Sequence, residues 1–198
     1  MHRRGPAGRT RSIWFDVRAQ DPGTASRLAQ VEEPGLNALT LLKTDHDKVK
    51  KLLAELSETT ERGVKTREEL YLTIRTEMTV HELIEEEIFY PALKSHPKAK
   101  DIVLEGFEEH HVVDLLMGEL DRTPFDDETF GAKAKVMQEN IEHHIEEEET
   151  EMFPQARKVF DAGELDALGE RMADRKQDAM SDPEELEEER EERAVPDR

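Results

Sequence analysis

Cysteine is absent from the 198 residues. That excludes disulfides, iron–sulfur clusters and thiolate zinc sites, so any metal site has to be built from imidazole and carboxylate. Aromatic residues are scarce, at 5%, while charged residues make up 38%; this balance suits a helical bundle better than a β-sandwich. No stretch approaches the roughly 20 consecutive apolar residues that a membrane span needs, and the N-terminus has arginines but no apolar signal core. The chain is therefore read as cytoplasmic, without a membrane partner. Positive charge is in short supply too: 28 Lys and Arg stand against 48 Asp and Glu, a formal net charge of −20. A nucleic-acid partner for the folded part is excluded, because phosphate contacts need a basic face.

What is present is helical periodicity between loop-like ends. Residues 1–33 are rich in Gly, Pro, Arg, Ser and Thr, with five arginines and one aspartate in the first 20; they are expected to form a disordered basic arm. Helix patterns start after Pro34-Gly35 and are expected over about 36–61, 65–93, 98–120 and 126–160. Gly63 closes the first, Pro91 stands near the end of the second, and Pro154 disturbs the last turns of the fourth. Short connections make neighbours antiparallel. The bundle is expected to span 34–160, followed by a C-terminal helical segment over 161–182. An acidic tail over 183–198 is expected to stay solvated.

The helices repeat in pairs. Asp45-His46-x-x-Val49-x-x-Leu52-x-x-Glu55-Leu56 returns 64 residues later as Glu109-His110-x-x-Val113-x-x-Leu116-x-x-Glu119-Leu120. His81-x-x-x-Glu85-Glu86 with Pro91 returns 63 residues later as His144-x-x-x-Glu148-Glu149 with Pro154. An all-α up-down four-helix bundle with an approximate internal twofold follows.

Each helix carries an apolar seam at steps of three and four, and each seam has a polar intruder. The seams read Leu39, Leu42, His46, Val49, Leu53, Leu56; then Tyr71, Ile74, Met78, His81, Glu85, Ile88; then Val103, Phe107, His110, Val113, Met117, Leu120; then Phe130, Ala134, Met137, Ile141, His144, Glu148, Met152. A lone seam histidine is usually a hydrogen-bonded core residue, and acidic runs such as Glu146–Glu149 are usually solvated faces. Two matched histidine pairs with two glutamates at equivalent spacing are another matter. Burying an unpaired carboxylate costs several kcal/mol, a large share of a domain's stability. Neutral imidazoles cannot balance two anions, whereas metal cations can, and His-x-x-x-Glu puts both side chains on one face, one turn apart. Imidazole with carboxylate suits iron, manganese or zinc. The candidate ligands are His46, His81, Glu85, His110, His144 and Glu148. His111 and His143 point about 100° away from the seams and are expected at the surface or behind the ligands. Glu82, next to His81, is expected in solvent, with a turn inward as an extra ligand the alternative, and His2 and His96 are incidental.

Asp45-His46-Asp47-Lys48-Val49, His81 to Glu86 with Phe89-Tyr90-Pro91, Glu109-His110, and His144 to Glu149 with Met152-Phe153-Pro154 together resemble the hemerythrin-like, or HHE cation-binding, family over about residues 36–160. The resemblance implies an up-down bundle around two non-haem iron ions with a bridging oxo, hydroxo or water. It makes the four histidines terminal ligands and Glu85 and Glu148 bridges. The oxygen carriers of that family have two histidines four apart on the third helix; here the positions four before and four after His110 are Gly106 and Asp114. They also use an aspartate five residues after the fourth-helix histidine, where here Glu148 follows His144 by four. The resemblance thus favours relatives that sense or process oxygen, peroxide or nitric oxide over reversible oxygen storage. The alternatives are a non-catalytic iron sensor or reservoir and a metal-free structural bundle. A ferritin-like carboxylate site is excluded, because the Glu-x-x-His it needs on two helices occurs only as Glu108-x-x-His111, off the seam. No dedicated catalytic base is visible beyond Glu86 or Glu149.

Overall fold

The computed structural model describes residues 37–194. The basic arm expected over 1–33 lies outside the described residues. All regular structure among the described residues is helical: α1 (Ala38–Ser57), α2 (Val64–Ile84), α3 (Tyr90–Lys94), α4 (Lys100–Asp121), α5 (Phe130–Glu147), α6 (Phe153–Val159), α7 (Ala162–Ser181) and α8 (Pro183–Ala194). The Asn37 side chain caps α1 by accepting from the Leu39 N–H, which satisfies one of the donors a helix start leaves over. Asp161 and Glu164 form a reciprocal capping box at the start of α7.

The two prolines do not end their helices. A π-helical turn, Glu85–Phe89, joins α2 to α3, and a second, Glu148–Met152, joins α5 to α6. In a regular α-helix Pro91 would leave the Glu87 carbonyl without a donor and press its ring against it. The wider turn just before each proline relieves this: the N–H of Tyr90 reaches back to the Glu85 carbonyl, and that of Phe153 to the Glu148 carbonyl. Each turn inserts one residue, so the face presented to the core rotates. After Glu85 the fully buried positions are Phe89, Tyr90 and Leu93.

Helix α1 packs against α2 and α5, and α4 against α5. Their apolar seams form two clusters. One gathers Leu42, Ile84, Phe89, Val103, Met152 and Phe153 with Leu165, Leu168 and Met172 of α7. The other gathers Val49, Leu53, Ile74, Met78, Val113, Met117, Ile141 and Ile145. In every seam the change from one cluster to the other falls at the histidine, so the polar intruders form a layer between two dry ends.

The C-terminal part differs from expectation. The acidic tail expected from 183 is helical over Pro183–Ala194, with Leu186 and Arg190 buried. Leu186 joins Val80, Leu83 and Ala179 in a small cluster. Arg190 Nη2 donates to Asp121 Oδ2 at 2.8 Å, Arg75 pairs with Glu187, and Tyr71 donates to Asp121 Oδ1 at 2.7 Å. A few apolar and cationic side chains at helical spacing thus anchor a segment whose composition reads as solvated. Helices α7 and α8 also pack on α2. Glu82, expected in solvent, is for this reason fully buried.

Candidate metal centre

His46 comes from α1, His81 from the end of α2, His110 from α4, and His144 from the end of α5; Glu85 and Glu148 open the two π turns. All six are at most 2% exposed. The Nε2 atoms face one another and the two carboxylates. His46 Nε2 stands 3.1 Å from Glu148 Oε2, and His81 Nε2 and His110 Nε2 each stand 3.3 Å from Glu85 Oε2. His144 Nε2 lies 3.6 Å from Glu148 Oε2 and 3.1 Å from His110 Nε2. Two groups of metal-capable atoms result, His46 with His81, Glu85 and Glu148, and Glu85 with His110 and His144; within each the atoms lie within 4.8 Å of one another. Glu85 belongs to both groups, a geometry open to a bridging carboxylate.

Hydrogen bonds within the protein do not account for this layer. His46 Nε2, His81 Nε2, both oxygens of Glu85 and Glu148 Oε2 are buried and make none among the described residues. Such atoms are costly unless something else binds them. A pair of cations fits the donor set, which combines neutral imidazole with carboxylate and has no soft ligand.

Charge in the layer is unevenly shared. Burial and the neighbouring Glu148 charge push the Glu85 carboxyl well above the ordinary carboxylate value. Burial pushes Glu148 the same way, but His144, His46 and His81 outweigh it and bring Glu148 below that value. Of the pair, Glu85 is therefore the one that holds a proton more readily. Burial holds His81 below the usual histidine value. For His144 burial is outweighed by Glu148 and Glu109, and the ring lies above it.

The outward Nδ1 atoms meet a second ring of carboxylates. His46 Nδ1 donates to Glu149 Oε1 at 3.0 Å, His110 Nδ1 to Glu86 Oε1 at 2.9 Å, and His144 Nδ1 to Glu109 Oε2 at 2.8 Å. Such partners select the tautomer that turns Nε2 toward a metal and raise the basicity of the ring. Glu86 and Glu149 are the neighbours of Glu85 and Glu148, one residue round the helix. His143 is 63% exposed beside Glu109 and Glu147, outside the buried layer.

Tyr90 is the member of the site that sequence reasoning missed. Its hydroxyl donates to Glu148 Oε1 at 2.9 Å and lies 3.3 Å from His110 Nε2, and its ring stacks on His110 with centroids 5.3 Å apart. Burial, then the Glu148 and Glu85 charges, push the phenol well above its ordinary value, so it stays protonated. A Cβ at Gly106 would lie 2.8 Å from the Tyr90 oxygen and 3.1 Å from Cζ. Gly106, four residues before His110, thus makes room for this phenol. The available signal was Tyr90 beside Pro91, but only the π turn rotates it inward.

Fold and layer together define an all-helical protein of the cation-binding kind. The model of the hemerythrin HHE cation binding domain matches residues 37–156, and the chain belongs to that family. It is similar to the uncharacterized protein Rv2633c of Mycobacterium tuberculosis, at 30% identity over 149 residues that cover 75% of this chain and 90% of that one. The same figures hold for the uncharacterized protein Mb2666c of Mycobacterium bovis. It is also similar in structure to a hemerythrin HHE cation binding domain-containing protein from Mycobacterium kansasii, an Rv2633c homolog. That likeness has a TM-score of 0.63 and 29% identity, and covers 73% of this chain and 90% of the other. Among the described residues no helix is long and apolar enough to cross a membrane.

Proposed function

We propose that the protein is an up-down four-helix hemerythrin-like bundle with two accessory helices that holds two non-haem iron ions and reacts with a small oxidant: oxygen, peroxide or nitric oxide. His46 and His81 would hold one ion, His110 and His144 the other, with Glu85 and Glu148 shared between them. The observation that carries this reading is the buried layer in which His46 Nε2, His81 Nε2, both Glu85 oxygens and Glu148 Oε2 have no hydrogen-bond partner among the described residues, closed between two apolar clusters. Iron would supply a Lewis acid and a redox couple in one place.

The chain's own residues do the rest. Glu86, Glu109 and Glu149 hold three of the imidazoles with Nε2 turned inward. Tyr90 holds a proton at Glu148 Oε1 and orients that carboxylate. The apolar clusters above and below keep bulk water from the layer, which strengthens every charge interaction inside it. The six side chains would hold the pair of ions between them, and the metal would supply the place at which a small oxidant reacts.

The test is metal analysis and an ultraviolet–visible spectrum of protein purified from iron-replete cells. Close to two irons per chain are expected, with near-ultraviolet absorption from an oxygen-bridged ferric pair that changes on adding peroxide, or nitric oxide after reduction. A protein that folds fully yet takes up no iron on reconstitution would refute the reading. Two bound irons whose spectrum none of the three oxidants alters would instead point to the reservoir.

A further inference from the structure

The internal repeat maps His46 onto His110, His81 onto His144, Glu86 onto Glu149 and Asp45 onto Glu109. The structure keeps this symmetry in the outer carboxylates with a single exception. Three candidate ligand histidines donate from Nδ1 to a glutamate at 2.8–3.0 Å. The fourth, His81, faces Asp45, one methylene shorter, and the gap is 3.7 Å. Neither His81 Nδ1 nor Asp45 Oδ2 makes a hydrogen bond among the described residues.

A residue from outside the repeat holds Asp45 in this position. Lys176 of α7 donates to Asp45 Oδ1 at 2.5 Å. Lys176 and Asp45 meet in a groove of about 330 Å³ between α1 and α7, lined also by Leu41, Thr44, Ala173 and Met180. On the other half of the repeat no lysine among the described residues is paired with Glu109, which meets His144 at 2.8 Å and His143 at 3.9 Å.

A carboxylate that accepts from a ligating imidazole fixes the ring and raises its basicity, and losing such a partner typically costs about 10–100-fold in metal affinity. Glu85 belongs to both groups of metal-capable atoms and Glu148 to the group of His46 and His81; with both glutamates shared, as proposed above, each ion would have two imidazoles and two carboxylates, and ligand count would not separate the two positions. The outer partners do. We infer that Asp45, held off His81 by Lys176, makes the metal position at His46 and His81 the readily exchanged one of the pair, with Lys176 acting as a positioning residue. The inference rests on the two-metal reading above. It assigns the C-terminal helix α7 a part in the centre: it sets how firmly one of the two ions is held.

Cobalt(II) is a suitable probe, since two bound ions can be counted and their release to a chromophoric chelator followed in time. Wild-type protein loaded with two cobalt ions should release them in two phases, the faster about 10-fold or more ahead of the slower. Asp45→Glu lengthens the carboxylate to the reach of its repeat partner; the fast phase should slow toward the other. Glu109→Asp makes the reverse change and should create a second fast phase. Lys176→Met frees Asp45 and should slow the fast phase, while Lys176→Arg keeps the hold and the wild-type pattern. The slow phase should be unaffected by Asp45→Glu, as a general loosening of the fold would not allow. Two bound cobalt ions leaving in one phase, or a fast phase indifferent to Asp45→Glu, would overturn the inference. A fast phase that responds to Asp45→Glu but not to Lys176→Met would remove Lys176 from it. Failure to bind two ions at all would strike the two-metal reading instead.

Discussion

Gly106→Ala tests the fit between Tyr90 and the helix it leans on. Alanine inside a helix is favoured over glycine by about 1 kcal/mol. Here the new methyl would sit 2.8 Å from the Tyr90 oxygen, closer than real Cβ contacts come, and 3.1 Å from Cζ, and overpacking of this kind costs about 1–3 kcal/mol. The net loss is then about 0–2 kcal/mol, and the phenol has to move off Glu148 to relieve it. Tyr90→Phe takes away the oxygen that makes the closer contact. In that background Gly106→Ala should cost at least about 1 kcal/mol less, and helix propensity can turn it neutral or favourable. A four-member cycle of wild type, both single variants and the double variant measures this coupling. Thermal unfolding of metal-free protein is a suitable assay, where 1 kcal/mol corresponds to about 2–4 °C for a domain of this size. In the loaded protein, Gly106→Ala and Tyr90→Phe should perturb the absorption spectrum alike, since both remove the hydroxyl from Glu148. Additive stabilities, or a spectrum changed by Tyr90→Phe and untouched by Gly106→Ala, would show that Gly106 does not serve the placement of Tyr90.

Glu85→Gln and Glu148→Gln should abolish or sharply reduce metal content measured by elemental analysis, whereas Glu86→Gln and Glu149→Gln should weaken binding by about 10–100-fold. His110→Gln and His144→Gln should likewise exceed His111→Gln and His143→Gln in metal loss. Because the Glu85 carboxyl is pushed upward in the metal-free layer, and metal binding favours the deprotonated form, loading should release protons. Affinity should accordingly rise with pH; calorimetry in buffers of differing ionisation enthalpy gives the sign, and proton uptake would contradict it. Ending the chain after Ser181 removes buried Leu186 and Arg190 and should lower stability in denaturant titration by about 1.5–3 kcal/mol from Leu186 alone. Metal stoichiometry should be unchanged, because none of the metal-capable groups of the layer found among the described residues comes from α8.

The linear order of residues was sufficient for the helices and for the candidate layer. Apolar positions at steps of three and four mark one buried stripe on each helix whatever it packs against, and a histidine or glutamate on such a stripe has to enter the core. The internal repeat put the four stripes at matching heights, which is why His46, His81, Glu85, His110, His144 and Glu148, read from spacing, stand together in space. Contacts between distant elements were beyond that reasoning. Pro91, read as standing near a helix end, and Pro154, read as disturbing the last turns of its helix, are each preceded by a π turn, and the one-residue rotation that follows is what aims Tyr90 at Glu148. Glu82 and the acidic segment around Leu186 read as solvated because local composition carries no trace of the helices that cover them. The 3.7 Å gap between Asp45 and His81 depends on where α7 delivers Lys176, some 130 residues along the chain. Periodicity is a property of one helix and survives in the sequence. The pairing of a side chain with another helix depends on the docking of both, and only the tertiary structure decides it.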